Sequence, residues 1–175
     1  MKRLWLAVFL TGIFLISPFA PEVHAGAFNT AAVTQFQQGD YEAAINTLNK
    51  ALEYNPYNLE ARNNRGAILA VRGQYDLAIA DFNVVIQSNP YHSKAFNNRA
   101  AAYAAKGQFD LALLDANRAV ELDPQNPEAY YTRATIWYNV KAYNNAQVDV
   151  TNAQRLGFSP PEVFLQSLRA VMDGR

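Results

Sequence analysis

From Tyr75 to Ile86 the apolar residues Tyr75, Ala78, Ile79, Phe82, Val85 and Ile86 fall at spacings of three and four. That spacing winds a single apolar stripe down one side of an α-helix. The surrounding pattern returns at a fixed distance. Residues 59–92 laid over 93–126 agree at 14 of 34 positions without a gap. Asn63-Asn64-Arg65 matches Asn97-Asn98-Arg99, Gly73-Gln74 matches Gly107-Gln108, and Asp76-Leu77-Ala78 matches Asp110-Leu111-Ala112. Asp81 and Pro90 likewise return as Asp115 and Pro124. A constant period of this length marks a solenoid built from one repeated supersecondary unit.

The register extends in both directions. Residues 25–58 carry Gly39, Tyr41, Ala44, Ala51 and Pro56 at the matching places, and residues 127–160 carry Arg133, Ala134, Tyr143, Ala146, Asp149 and Ala153. In this fourth unit the turn glycine has become Lys141 and the closing proline has become Phe158. Each unit reads as two helices, the first ended by Gly39, Gly73 or Gly107 and the second by Pro56, Pro90 or Pro124. One such pair cannot bury its stripe alone, whereas stacked neighbours can. At the tail, Ser159 and Glu162 are spaced as a capping box with Pro160 at the first helical position, which predicts a last helix over 161–175. Phe164, Leu168, Val171 and Met172 then face the fourth unit, while Gln166, Arg169 and Asp173 face water. The expected architecture is all-α: four helix pairs, at 25–58, 59–92, 93–126 and 127–160, and a capping helix.

These residues resemble the tetratricopeptide repeat family. Gly66, Gly73, Tyr75, Ala78 and Pro90 meet its pattern in the second unit, and Ala100, Gly107, Phe109, Ala112, Ala119 and Pro124 meet it in the third. The resemblance spans residues 25–160 and is sharpest in the middle two units. It implies a right-handed superhelix of antiparallel helix pairs, with the first helices lining an inner groove that holds a protein or an extended peptide.

The first 25 residues read as an export leader. Lys2 and Arg3 precede an apolar run from Leu4 to Ile16, Pro18 and Pro21 break it, and Val23-His24-Ala25 suits a cut before Gly26. The run falls short of the roughly 20 residues that span a bilayer, so a retained anchor is the lesser alternative. The leader predicts a periplasmic or lumenal protein. With no cysteine there is no lipid attachment and no disulfide, so packing alone supplies stability.

Lysine and arginine number 15, as do aspartate and glutamate. A balanced chain lacks the basic face that binds nucleic acid, and it gives no strong membrane-surface signal. His92 is the one histidine after the leader, so neither a Cys-His pair nor a histidine metal cluster is available. No phosphate-binding or zinc-protease motif occurs either, and no enzyme or cofactor is expected. His92, just after Pro90, reads as an exposed loop residue.

Candidate binding residues must be separated from scaffold. Arg65, Arg99 and Arg133 recur in step with Asp81, Asp115 and Asp149, as scaffold ion pairs do, and exposed pairs of this kind contribute little singly. Asn29, Asn63 and Asn97 fall on one face of successive first helices, with Asn64 and Asn98 beside them. Amides both donate and accept, so such a ladder suits the main chain of an extended peptide. For Asn64 and Asn98, bonding between helices is an equal alternative. In the fourth unit Tyr131 and Tyr138 turn this face aromatic, either as an adhesive patch or as packing beneath the last helix, with Tyr138 assigned to the groove and Trp137 to packing.

Some members of the family grip a chaperone carboxylate with a clamp on the first helices. Asn64 and Lys94 fall on clamp positions by that resemblance, but Asn29, Val33 and Asn98 stand where it has lysine, asparagine and arginine. The expected role is that of an adaptor or assembly factor for an envelope or membrane complex, with a self-associating homo-oligomeric scaffold as the alternative.

Overall fold

A computed structural model describes residues 20–174. Among them the chain forms nine α-helices and no strand: α1 (Ala20–Gln37), α2 (Tyr41–Tyr54), α3 (Leu59–Val71), α4 (Tyr75–Ser88), α5 (Ser93–Ala105), α6 (Phe109–Leu122), α7 (Pro127–Asn139), α8 (Tyr143–Arg155) and α9 (Glu162–Met172). Successive helices pair as α1 with α2, α3 with α4, α5 with α6 and α7 with α8, and α9 closes the series.

Local chemistry sets the boundaries. Within the first three pairs, Gly39, Gly73 and Gly107 take φ of 81°, 76° and 74°, a region that costs a residue with a Cβ. Second helices end where Asn55, Asn89 and Asp123 turn a side-chain oxygen onto the backbone N–H two residues ahead, with the proline between. First helices then start from side-chain caps. Asn58 accepts from the Ala61 N–H, Asn126 from the Glu128 N–H, and His92 Nδ1 from the Ala95 N–H at 3.1 Å. His92 is therefore a half-buried helix cap, not a free loop residue, because it occupies the capping place that asparagine fills in the neighbouring units.

The predicted start of the last helix is corrected. Helix α9 begins at Glu162 with Pro161 before it and no side-chain cap, so Ser159 makes no capping box. A proline ring disfavours helical geometry in the residue before it, and Pro161 excludes Pro160 from the helix in this way. Leu168 is buried as expected, and Gln166, Arg169 and Asp173 are exposed. Met172 is also exposed, because it lies at the final turn beyond the packed stripe.

At the other end the described residues begin with α1. Pro21 sits in the first turn of α1, where its missing N–H costs nothing. The expected cut after Ala25 falls inside α1. The charged start, the apolar run and Pro18 lie outside the described residues.

Helices α2, α4 and α6 each pack on their own first helix and on the first helix of the next unit, α8 packs on α7 and on α9, and α1 touches α3, α3 touches α5 and α5 touches α7. Closer approach of the first helices puts them on the inner side of the curve and the second helices on the outer side. The stripe predicted in α4 is the one that packs: Ala78, Ile79, Phe82 and Val85 are buried.

Charge ties the units together. Arg65, Arg99 and Arg133 each donate twice to one carboxylate, Asp81, Asp115 and Asp149 respectively, at 2.6–2.8 Å. Each also donates to an asparagine of the preceding second helix: Asn49, Asn83 or Asn117. These are not exposed surface pairs, since the three aspartates are only 2–5% exposed. The side-chain hydrogen bond to aspartate holds each arginine pKa above its ordinary value, against a smaller opposing effect of burial. Burying a carboxylate is tolerable only with such complete pairing. A second series runs along the rim, where Arg72 pairs with Glu42 and Lys106 with Asp76. At the third place Asp110 remains, but Val140 replaces the cation.

Candidate groove on the inner face

The inner face is made by α1, α3, α5 and α7, and its composition decides what it can bind. From Ala25 to Gly39 the chain carries no charged residue. On the other three helices Arg65, Arg99 and Arg133 are committed to aspartates, and Arg62 bonds the Pro56 carbonyl and approaches Asp81. The remaining charges, Glu60, Lys94 and Glu128, all fall in first turns. The body of the groove is thus uncharged.

Between α1 and α3 lies a cavity of about 180 Å³ lined by Ala32, Val33, Phe36, Asn64, Ala67, Ile68 and Val71. Asn64 is its one polar wall. Val33 and Val71 remain 45% and 56% exposed at its edges. A larger cleft of about 400 Å³ on the other side of the stack contains Arg65, Asn49, Asp81, Arg72 and Glu42, but these groups already bond one another.

The predicted amides divide by environment. Asn29, Asn63 and Asn97 are 6–8% exposed, so they lie deep between neighbouring helices and do not stand open as a ladder. The reason is geometric: their places face the adjoining first helix as much as the groove. Asn98 Nδ2 donates to Asn63 Oδ1 at 3.2 Å, a bond from α5 to α3. Asn29 Oδ1 and Asn97 Oδ1 are buried and accept no hydrogen bond. An unmet buried acceptor costs about 1–3 kcal/mol. Asn64 and Asn98 are half-buried, and Lys94 is exposed at the first turn of α5.

Tyr131 and Tyr138 are brought together by packing, which corrects the assignment of Tyr138 to the open groove. Tyr131 lies 4.9 Å from Phe158 and 5.5 Å from Phe164 between ring centroids, and Tyr138 lies 5.4 Å from Phe164 and 5.5 Å from Tyr143. Burial pushes the Tyr131 phenol pKa up. Helix α9 therefore seats on both tyrosines, and Trp137 packs in the same cluster around Leu168. The aromatic signal was visible in the sequence, but its partner Phe164 is supplied by a helix beyond the repeats.

The apolar cavity was missed. Its trace was present, since Val33, Phe36 and Val71 are bulky apolar residues where the third unit has Ala101, Ala104 and Ala105 on the same helix faces. The asparagines at 49, 83 and 117 were missed too, although they recur every 34 residues.

The family model for the tetratricopeptide repeat matches residues 29–93, and a second model of the same description matches residues 93–126. No curated protein is matched by the sequence. Among solved structures, a thermophilic TPR protein of Thermus thermophilus superposes with a TM-score of 0.72 at 19% identity, covering 76% of this chain and 74% of that one. MamA 41-end from Desulfovibrio magneticus RS-1 gives 0.66 at 22% identity, with 75% of each chain covered. The first TPR of Spaghetti (RPAP3), solved bound to the HSP90 peptide SRMEEVD, gives 0.63 at 28% identity and covers 68% of this chain and 94% of that one.

Proposed function

The chain belongs to the tetratricopeptide repeat family, and on that premise we propose that it is an exported adaptor or assembly factor that holds a segment of a partner protein in its inner groove, without catalysis. The fold is that of a protein–protein interaction module. The observation that carries the reading is the apolar cavity between α1 and α3, on the face where the first helices converge. Support for a peptide as the form of the partner comes from the Spaghetti domain, which was solved with one. Export is supported by the leader pattern of Lys2, Arg3, Leu4 to Ile16 and Ala25. An envelope or membrane complex as the client is part of this reading and rests on analogy with the family.

The test joins location to contact. A photo-crosslinking residue is placed at Asn64 in the groove and, separately, at the exposed Asn46 on α2. The full chain is expressed in an exporting host, the exported and cytoplasmic fractions are separated, and the N-terminus of the product is read by mass. The expected result is a chain beginning at Gly26 in the exported fraction, crosslinked to one partner from position 64 and not from 46. Recovery only from the cytoplasm with the leader intact removes the export reading, and equal crosslinking from both positions removes the groove.

A further inference from the structure

We propose that the groove selects an extended, uncharged segment that seats one bulky aliphatic or aromatic side chain between α1 and α3 and lays its main chain along the asparagines toward α5. This rests on the reading that the groove holds a protein segment and names the class of segment.

Three independent features converge on that class. The cavity of about 180 Å³ is smaller than the roughly 300–1,000 Å³ of small-molecule sites and is walled by apolar side chains, so it suits a single apolar side chain better than a whole small ligand. Val33 and Val71 leave apolar surface wet at its edges, which an entering side chain covers.

Charge excludes the alternative recognition. An acidic peptide end needs a cluster of free cations, and the first helices offer Lys94 alone, flanked in the neighbouring units by Glu60 and Glu128 at the corresponding place. A charged side chain entering the body of the groove would lose water and meet no partner. An uncharged segment avoids that loss.

The amides supply the third feature. Asn29 Oδ1 and Asn97 Oδ1 lack partners although both residues are more than nine-tenths buried. Asn29 stands four residues before Val33 and seven before Phe36, on the helix face that reaches the cavity. Both oxygens are closed off from solvent, so a passing main chain meets instead the half-buried amides of Asn64, which walls the cavity, and Asn98 on the next first helix, each able to offer a donor or an acceptor. Beyond α5 the inner face ends at Tyr131 and Tyr138, which are occupied by Phe164. The segment is therefore held over the first three units and not the fourth.

The experiment selects a displayed library of short random peptides on the full chain and measures the recovered sequences by fluorescence anisotropy. Four variants are compared: Ala67→Leu, which fills the cavity; Val33→Asp, an exposed position that puts a charge at its edge; Asn98→Ala; and Lys94→Ala. Circular dichroism checks each fold, and Val33→Asp serves if Ala67→Leu does not fold. Expected are uncharged peptides sharing one bulky apolar residue, weakened about tenfold or more by either cavity variant, several-fold by Asn98→Ala and unchanged by Lys94→Ala. Acidic peptides that depend on Lys94 and ignore both cavity variants overturn this proposal while leaving the groove reading intact. Peptides indifferent to all four changes, or no enrichment at all, overturn both.

Discussion

Gly66 of α3 lies directly against the ring of Phe82 of α4: a methyl on Gly66 would stand 2.7 Å from Phe82 Cε1 and 3.0 Å from Cζ. Phe82 is fully buried and cannot swing aside. The corresponding pair in the first unit is Ala32 and Leu48, also buried, so the larger ring in unit two is matched by loss of the opposing methyl.

This relationship predicts a coupled pair of substitutions. Gly66→Ala gains helix preference of about 1 kcal/mol but overpacks the core by about 1–3 kcal/mol, and contact at 2.7 Å places it toward the upper figure. A net loss is expected. Phe82→Leu costs on the order of 1–3 kcal/mol through lost burial and a cavity. The double variant restores the pairing of unit one and should lose less than the sum of the single changes. Urea unfolding of all four proteins measures the coupling, and strict additivity would show that the two side chains do not compete for space.

Lys141 takes φ of 64°, the only positive value among the described non-glycine residues. It stands where the other units place glycine, and its N–H bonds the Tyr138 carbonyl as that of Gly107 bonds Ala104. The left-handed conformation costs a residue with a Cβ about 1–2 kcal/mol, and glycine returns part of this in unfolded-chain entropy. Lys141→Gly is expected to stabilise the protein by about 0.5–1 kcal/mol, read as a higher urea midpoint at unchanged m-value. A lower midpoint would mean that the lysine side chain contributes more than its backbone strain costs.

Asp115 is 3% exposed and holds Arg99, whose guanidinium also lies 5.6 Å from the centre of the Phe96 ring and 5.8 Å from that of Tyr103. Asp115→Ala leaves a partly buried cation facing an empty acceptor site, at a cost of about 3–5 kcal/mol. Replacing Arg99 and Asp115 together by Met and Leu should recover a good part of that loss. Thermal unfolding of the single and double variants decides it. A single variant as stable as the parent would reduce the network to a surface pair.

Tyr131 gives the stability a dependence on alkaline pH. Burial favours its neutral form in the folded chain, so the unfolded chain ionises first as pH rises. The stabilisation is complete below the ordinary tyrosine range near pH ~10, and it declines as pH climbs through that range toward the raised folded value. Urea midpoints measured on both sides of that range should fall more for the parent than for Tyr131→Phe. Equal falls would place the phenol in water and separate it from Phe158 and Phe164.

The helices, their number and their ends were legible wherever a residue acts on its own backbone. Gly73 and Gly107 end first helices, Pro90 and Pro124 close second ones, and the recurrence of Arg99 with Asp115 announced their pairing before any distance was known. Such effects are local or periodic, and a single chain displays both. Ser159 failed as a cap because its neighbours Pro160 and Pro161 compete with the capping pattern, and His92 became a cap because its ring nitrogen does what asparagine does in adjacent units.

The character of the groove was decided elsewhere. Asn29 and Asn97 occupy the helix face expected of them, but how deep they lie depends on how closely α1, α3 and α5 approach one another. Val33 and Val71 are far apart in sequence and meet around one cavity only because α1 packs on α3. Tyr138 lost its place in the groove to Phe164, a residue of α9 outside the repeated pattern. Periodicity specifies which face of a helix points inward. What that face meets is set by the distances between helices, and these arise from the summed packing of side chains that no single stretch of sequence contains.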